Sequence, residues 1–295
     1  MDHQKTKPRV AFLGLGAMGS RMAARLLQDG YPLTIWNRTK ATASDLVEAS
    51  AKLAETPRAA AQGVQYVIVM VTDDDASREV WLGRDGAIHS LTEGMFAIDS
   101  TTATPGWIKE LAAEISKTGA SFIESPVVGS CPQAEAGQLI CLVGGDQADL
   151  DRARPVLEAF SGKVTHMGKH GLGAVTKLAV NSLLATQICG IGENINFLRK
   201  AGVEDERWIE LFSNLPMMSP PMIGAMKGMA AGNFAPLFAL SLIEKDLRYF
   251  LSVAEDHKAA HPVGTTVHEL LAKALKAGYG EENSTSVAKV FPDRK

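Results

Sequence analysis

Cysteine is scarce: Cys131, Cys141 and Cys189 are the only three in a chain of 295 residues. Three is too few, and odd in number, for a disulfide framework, and such usage suits a reducing compartment, so a cytoplasmic location is expected. Each thiol is expected as a small core residue, with Cys131 of added interest because it lies in a motif treated below. Aromatic residues make up only 6% of the chain, and neither sign of charge dominates: 30 Lys and Arg face 33 Asp and Glu, a formal net charge of −3. Without a basic surplus or stripe, nucleic acid is not an expected partner. Anionic substrates remain open, because one local Lys or Arg can hold a carboxylate or phosphate. Long apolar runs are also missing. The longest uncharged stretch, Leu178 to Gly192, contains Asn181 and Gln187 and is shorter than the roughly 20 residues of a membrane helix. The polar segment Met1 to Arg9 leads into an apolar run soon broken by glycine, which is neither a signal h-region nor a span. No membrane association and no metal site are expected.

What is present is a regular alternation. Short β-rich runs occur at Val10–Leu13, Leu33–Trp36, Tyr66–Val71, Met95–Ile98, Ser121–Ile123 and Leu139–Val143. Between them lie segments with apolar residues at helical spacing, such as Arg21–Asp29 and Trp107–Lys117. Strands separated by helices imply βαβ units and a mostly parallel sheet, and the continuous apolar Val67–Val71 suits a strand buried on both faces. After about residue 168 the pattern turns helical. A helix over about 173–198 is expected, roughly 37 Å long, with Gly190 and Gly192 weakening it by about 1 kcal/mol each. Further helices are expected around Glu204–Leu211, Met222–Ala230, Ile243–Ala254 and Thr265–Ala277. The expected fold is therefore α/β. A Rossmann-type dinucleotide-binding domain over 1–168 is joined by the long helix to an all-α substrate and dimerisation domain over 169–295.

The first strand runs into Gly14-Leu15-Gly16-Ala17-Met18-Gly19, followed by a helix. GxGxxG carries weight in this context: Gly14 permits the tight turn, Gly16 lets the backbone approach a pyrophosphate, and Gly19 packs helix on strand. The helix N-terminus adds N–H donors and positive dipole. At the end of the second strand, where NAD readers place a carboxylate for the ribose 2′-hydroxyl, the chain reads Asn37-Arg38-Thr39. Nothing there repels a 2′-phosphate, and Arg38 offers a fork of donors flanked by neutral ones. NADPH is expected over NADH.

Several separate motifs now resemble one family, the β-hydroxyacid dehydrogenases, the group of 3-hydroxyisobutyrate dehydrogenase and the glyoxylate/succinic semialdehyde reductases. The resemblance runs from Val10 to about Val290. It begins with the GLGAMGSRMA turn and its NRT strand end, and continues through Asp99-Ser100-Thr101-Thr102-Ala103-Thr104-Pro105, similar to the family's D-x-S-T-x-x-P loop. By that resemblance Thr102 lies beside nicotinamide and substrate, and Val71, Thr72 and Asp73 join the cofactor contacts. Thr104 before Pro105 also reads as an ordinary N-cap. The stretch Gly171 to Asn181 resembles the family's catalytic helix, which implies that Lys177 and Asn181 face the active site. At i and i+4 they share one face, and an apolar, buried helix is a costly place for such a pair without partners. Phe238 and the Lys245-Asp246-Leu247 run resemble the family's K-D-L helix, with Lys245 near the cofactor and Phe238 and Asp246 closing the site.

One motif departs. Where the family reads D-A-P-V-S-G, this chain has Glu124-Ser125-Pro126-Val127-Val128-Gly129-Ser130. Val128 cannot donate a hydrogen bond, and losing such a contact in a buried site costs about 1 kcal/mol or more. Gly129 and Ser130 remain as backbone contacts for substrate, with Ser130 or Cys131 as replacement groups. The resemblance implies an oxidoreductase that moves hydride between nicotinamide and a small carbonyl or hydroxy-acid compound. Lys177 would act as general acid or base, its pKa lowered by burial, or as a standing charge beside the alkoxide. Asn181 would orient the oxygen, and Thr102 and Gly129–Ser130 would hold the acid group. It also implies a homodimer or homotetramer. An imine reductase shares the architecture but typically has Asp or Tyr in place of Lys177. A 6-phosphogluconate dehydrogenase has a longer helical part, and a silent NADP-binding scaffold would lack the lysine. Met217, Met218, Met222 and Phe238 are candidate apolar pocket walls, or equally helix-packing core.

Overall fold

The computed structural model describes residues 7–291. Its strands are β1 (Val10–Leu13), β2 (Leu33–Trp36), β3 (Lys52–Leu53), β4 (Tyr66–Val69), β5 (Phe96–Asp99), β6 (Ser121–Glu124), β7 (Val127–Val128), β8 (Leu139–Gly144) and β9 (Ser161–Gly168). They form one sheet in the order β3-β2-β1-β4-β5-β6-β8-β7, with β9 pairing β8. From β3 to β6 every pairing is parallel, which gives the 3-2-1-4-5-6 order of dinucleotide-binding sheets. The helices between the strands are α1 (Ala17–Gln28), α2 (Ser44–Glu48), α3 (Pro57–Ala60), α4 (Asp74–Leu82), α5 (Pro105–Ser116), α6 (Cys131–Glu135) and α7 (Gln147–Leu157).

Alternation along the strands divides the core in two. Val10, Phe12, Ile35, Ile68 and Ile98 point to one face and pack with Met22 and Leu26 of α1. Ala11, Leu13, Val67, Val69 and Ala97 point to the other and pack with Trp81 of α4 and Trp107 and Leu111 of α5. Covering both faces is what lets parallel strands read as continuous apolar runs.

By packing, the chain divides into two compact units, Met1–Lys177 and Leu178–Lys295. The division falls within the long helix α8 (Leu172–Lys200). The second unit continues with α9 (Asp205–Ser213), α10 (Pro220–Ala230), α11 (Leu240–Asp256) and α12 (Pro262–Lys276). Its core gathers Ala185, Ile188, Cys189 and Ile195 of α8 with Trp208, Met226, Ile243, Leu247 and Leu271. By length and composition alone α8 is apolar enough to cross a membrane, yet these four residues are spent in a protein core.

Two carboxylates end the central strands. Asp99 closes β5 and Glu124 closes β6, paired in register and both fully buried. Asp99 Oδ2 accepts from Ser77 Oγ at 2.6 Å and Trp81 Nε1 at 2.8 Å, and Oδ1 accepts from the Thr101 amide at 2.8 Å. Burial still raises its pKa above the usual carboxylate range, against those bonds. Glu124 Oε1 accepts from the amides of Gly171 (2.5 Å) and Gly173 (3.1 Å), and Oε2 from that of Ala174 (3.0 Å). Burial pushes its carboxyl up to about 7, with the Asp99 charge adding and the three amides opposing.

The linkage has a definite sign. Between pH 4.5 and 7 the folded chain keeps a proton on Glu124 that the unfolded chain has released, so this group makes stability fall as pH rises across that window. The whole effect is about 3 kcal/mol. Thermal melts of wild type and E124Q from pH 4.5 to 8 should show the wild type losing ground to the variant as pH rises. A constant difference between them would mean that Glu124 titrates alike in both states.

Candidate functional site

At the start of α1 the three glycines divide their work as geometry requires. Gly14 has φ +101°, and a Cβ there would stand 2.2 Å from the Met70 carbonyl oxygen; one on Gly19 would stand 2.0 Å from that of Gly14. A Cβ on Gly16 would meet nothing within 4 Å, so that side of the turn is open to a ligand. The first turn of α1, from Ala17 through Met18 to Gly19, has no acidic residue to offset its positive end. Beside it lies a cavity of about 550 Å3 lined by Gly16, Ala17, Ser20, Arg21 and Thr42 among others. Asp45 and Glu135 also line that cavity, so it is the open glycine turn and the start of α1 that fit a dinucleotide's pyrophosphate.

The three residues after β2 have separate positions. Asn37 Oδ1 accepts from the Leu15 amide at 2.9 Å, and its Nδ2 donates to Thr39 O and Thr42 Oγ1. Asn37 thus stitches the strand end to the glycine turn and is committed internally. Lys40 pairs with Glu55. Arg38 and Thr39 are exposed, and no ion pair or hydrogen bond among the described residues holds the Arg38 guanidinium. Arg21 flanks the cavity with Nε 2.7 Å from Glu135 Oε1.

The loop after β5 is fixed from below by Asp99. Thr101 Oγ1 accepts from the Val71 amide at 3.3 Å, which ties the loop to the segment after β4 and carries half-buried Thr102 to the strand ends. Asp73 caps α4, accepting from the Ala76 amide at 2.8 Å, with Thr72 Oγ1 3.3 Å from its other oxygen. Thr104 is the N-cap of α5, accepting from the Trp107 amide, while its own hydroxyl donates to Asp74 at 2.6 Å. Its capping role is structural.

Beyond β6, Val128 is half-buried on β7 opposite Ile140, and Gly129 is exposed. The Ser130 amide donates to Gln133 Oε1 at 3.0 Å, so it serves a substrate only if Gln133 releases it. Cys131 is buried at the start of α6. Cys141 and Cys189 are buried thiols pushed up by desolvation to about 11 and about 12, which makes them inert.

On α8, Lys177 and Asn181 stand one turn apart, 9% and 3% exposed. In the second unit Asn181 Nδ2 donates to Asp246 Oδ2 at 2.6 Å, and Lys245 Nζ lies 2.9 Å from Asp246 Oδ1, all three residues buried. The structure so brings Asn181, Lys245 and Asp246 into one polar cluster. Phe238 and Met218 are half-buried against the helical core, Met222 is buried, and Met217 is 81% exposed. Met218, Met222 and Phe238 thereby contribute to packing.

Residues 9–168 match the family model described as the NAD binding domain of 6-phosphogluconate dehydrogenase. Residues 171–291 match the one described as NAD-binding of NADP-dependent 3-hydroxyisobutyrate dehydrogenase. An uncharacterized oxidoreductase of Shewanella frigidimarina is 35% identical over 94% of this chain and 96% of its own. Glyoxylate/succinic semialdehyde reductase 1 of Arabidopsis thaliana is 30% identical over the same shares. Among solved structures, the 3-hydroxyisobutyrate dehydrogenase of Mycobacterium tuberculosis with L-serine superposes with a TM-score of 0.85 at 26% identity, covering 96% of this chain and 99% of that one. The strand order, the glycine turn open at Gly16 and these matches across both units agree: the chain belongs to the β-hydroxyacid dehydrogenase superfamily and is an NAD(P)-dependent oxidoreductase acting on CH–OH and carbonyl groups.

Proposed function

We propose that the chain is an NADPH-dependent reductase of a small aldehyde or keto acid of the semialdehyde or glyoxylate type, reversible as a 3-hydroxy acid dehydrogenase, with Lys177 as general acid and base. The observation that carries this reading is the pair of buried polar residues, Lys177 and Asn181, at i and i+4 on α8. At that spacing the ammonium and the amide share one face of the helix. The names of the Arabidopsis relative and of the serine-bound structure supply the substrate class: semialdehydes in one direction, and a 3-hydroxy compound in the other.

When bound, the nicotinamide donates or accepts the hydride. The residues of the chain handle the oxygen. Lys177 delivers its proton to the carbonyl oxygen in reduction and takes it back in oxidation. Asn181, held by one N–H to Asp246, keeps its second for that oxygen. Thr102 and the Gly129–Ser130 backbone hold the acid group, the Ser130 amide joining once Gln133 releases it. Val128 in place of a hydroxyl-bearing residue weakens that hold and shifts preference toward carbonyl compounds with less demand for an anion contact. Preference for NADPH rests on Arg38, the exposed cation at the end of β2, and on the absence of a carboxylate at Asn37 and Thr39.

NADPH absorbance at neutral pH with glyoxylate, succinic semialdehyde, tartronate semialdehyde and a neutral aldehyde tests the reading. Lys177→Ala should lower kcat by about a hundredfold to ten-thousandfold with NADPH affinity retained; near-normal turnover would remove Lys177 from the mechanism.

Arg38→Ala should weaken NADPH by about tenfold to a hundredfold, the worth of one charged contact, and leave NADH little changed. Equal losses for both cofactors in a binding titration would refute the 2′-phosphate role.

A further inference from the structure

The N-terminus of α8 is capped from a distance. The residues before it, Lys169-His170-Gly171, offer no Ser, Thr, Asp or Asn at the helix start, and Gly171, with φ +94°, has no side chain to give. The first amides must still find acceptors. Leu172 N donates to Lys169 O, while Gly171, Gly173 and Ala174 all donate to Glu124, which lies 47 residues or more earlier in the chain. A local cap would tie the helix only to its own preceding loop. Glu124 ties it to the end of β6, in the middle of the sheet.

The slot for this carboxylate is built by two glycines. A Cβ on Gly144 would stand 2.0 Å from Glu124 Oε1, and one on Gly173 would stand 3.2 Å from Glu124 Cδ and 2.5 Å from Leu142 O. Among the described residues no ion pair reaches Glu124, so its oxygens are met by backbone amides alone. Burying a carboxylate without a cation is expensive, and an apolar filling of such a slot is often no less stable. The expense goes to geometry: Ala174, the last amide held, is one turn before Lys177 on the same helix.

We propose that Glu124 is the positioning residue of Lys177, its carboxylate fixing the first turn of α8 to the sheet and so setting where the lysine's ammonium stands. This rests on the role of Lys177 given above.

The test uses the full chain with NADPH and succinic semialdehyde, in wild type, E124Q, E124A and K177A. E124Q fills the same slot and keeps an oxygen for Gly171 and Gly173, but turns a donor toward Ala174; E124A removes all three acceptors. Turnover is expressed per cofactor site titrated, so that misfolded protein does not count. kcat should fall about tenfold in E124Q and about a hundredfold in E124A, as for an ångström-scale misplacement. KM and the NADPH Kd should stay within about threefold of wild type, a split that a loss of stability alone does not produce. Hydrogen exchange in a peptide spanning 169–177 should quicken in the same order. Normal kcat in E124Q and E124A, with K177A inactive, would overturn this proposal and leave the lysine's role intact. Unchanged exchange in both variants would overturn the clamp itself. Undiminished turnover in K177A would sink the lysine's role, and the positioning role with it, whatever the exchange shows.

Discussion

Carboxylates are costly to bury, and this sheet buries two side by side at the ends of its central strands. Asp99 and Glu124 are neighbours in register, so each raises the price of ionising the other. What they obtain is three donors apiece, drawn from α4 and the loop after β5 for Asp99 and from the start of α8 for Glu124. Asp99 takes the Thr101 amide, with Ser77 and Trp81 behind it. Glu124 takes the first amides of α8. Trp107, whose indole N–H reaches Ser77 at 2.9 Å, extends the Asp99 network into α5. The Thr102 loop and the Lys177 helix are thus anchored to adjacent strands rather than to the surface.

That anchoring explains why the loop and helix geometry need not come from rigid loops of their own. The segment after β4, the loop after β5 and the start of α8 are short, and each contributes one to three backbone amides to a buried acceptor: Val71 to Thr101 Oγ1, Thr101 to Asp99, and Gly171, Gly173 and Ala174 to Glu124. Asn37 plays the same part for the glycine turn through the Leu15 amide. A parallel sheet brings such acceptors to its C-terminal edge, where ligands of these folds bind. These segments are held by polar side chains reaching across the sheet as well as by local caps.

Much of this was legible in the sequence. Periodicity located β1 and β2 to the residue and α8 within two residues at each end, because apolar runs bounded by glycine and polar residues leave little choice. The expected strand over 66–71 stops at Val69, since Val71 leaves the ladder for Thr101. β9, with the sequence SGKVTHMG, was not expected: it lacks alternation, most of its residues are only half-buried, and it is recruited by β8 with two register shifts. β3 and β7, of two residues each, carry too little pattern to see. Lys177, Asn181 and Thr102 came from resemblance and from helical spacing. Glu124 and Asp99 as anchors did not, although the signal was present: each is a lone acid closing a short strand directly after apolar residues, FAID and SFIE. Their partners lie far away in sequence, and spacing cannot reveal that.

The same logic distinguishes two kinds of glycine that a motif search treats alike. Gly14 and Gly19 are excluded from carrying a side chain by the protein's own backbone, at 2.2 and 2.0 Å, and are structural whether or not a cofactor is present. Gly16 has open space on its side-chain side, so nothing in the fold requires it to be glycine there; the requirement comes from what must approach. Gly144 is of the first kind, except that the atom excluding its side chain is the Glu124 carboxylate. A glycine shaped around a buried acid at the end of β8, four strands along the sheet from the glycine turn after β1, shows that the fold has reserved space for an internal acid as specifically as for a ligand. Such reservation is hard to account for by packing alone, because filling the slot with carbon would have satisfied the core at lower cost.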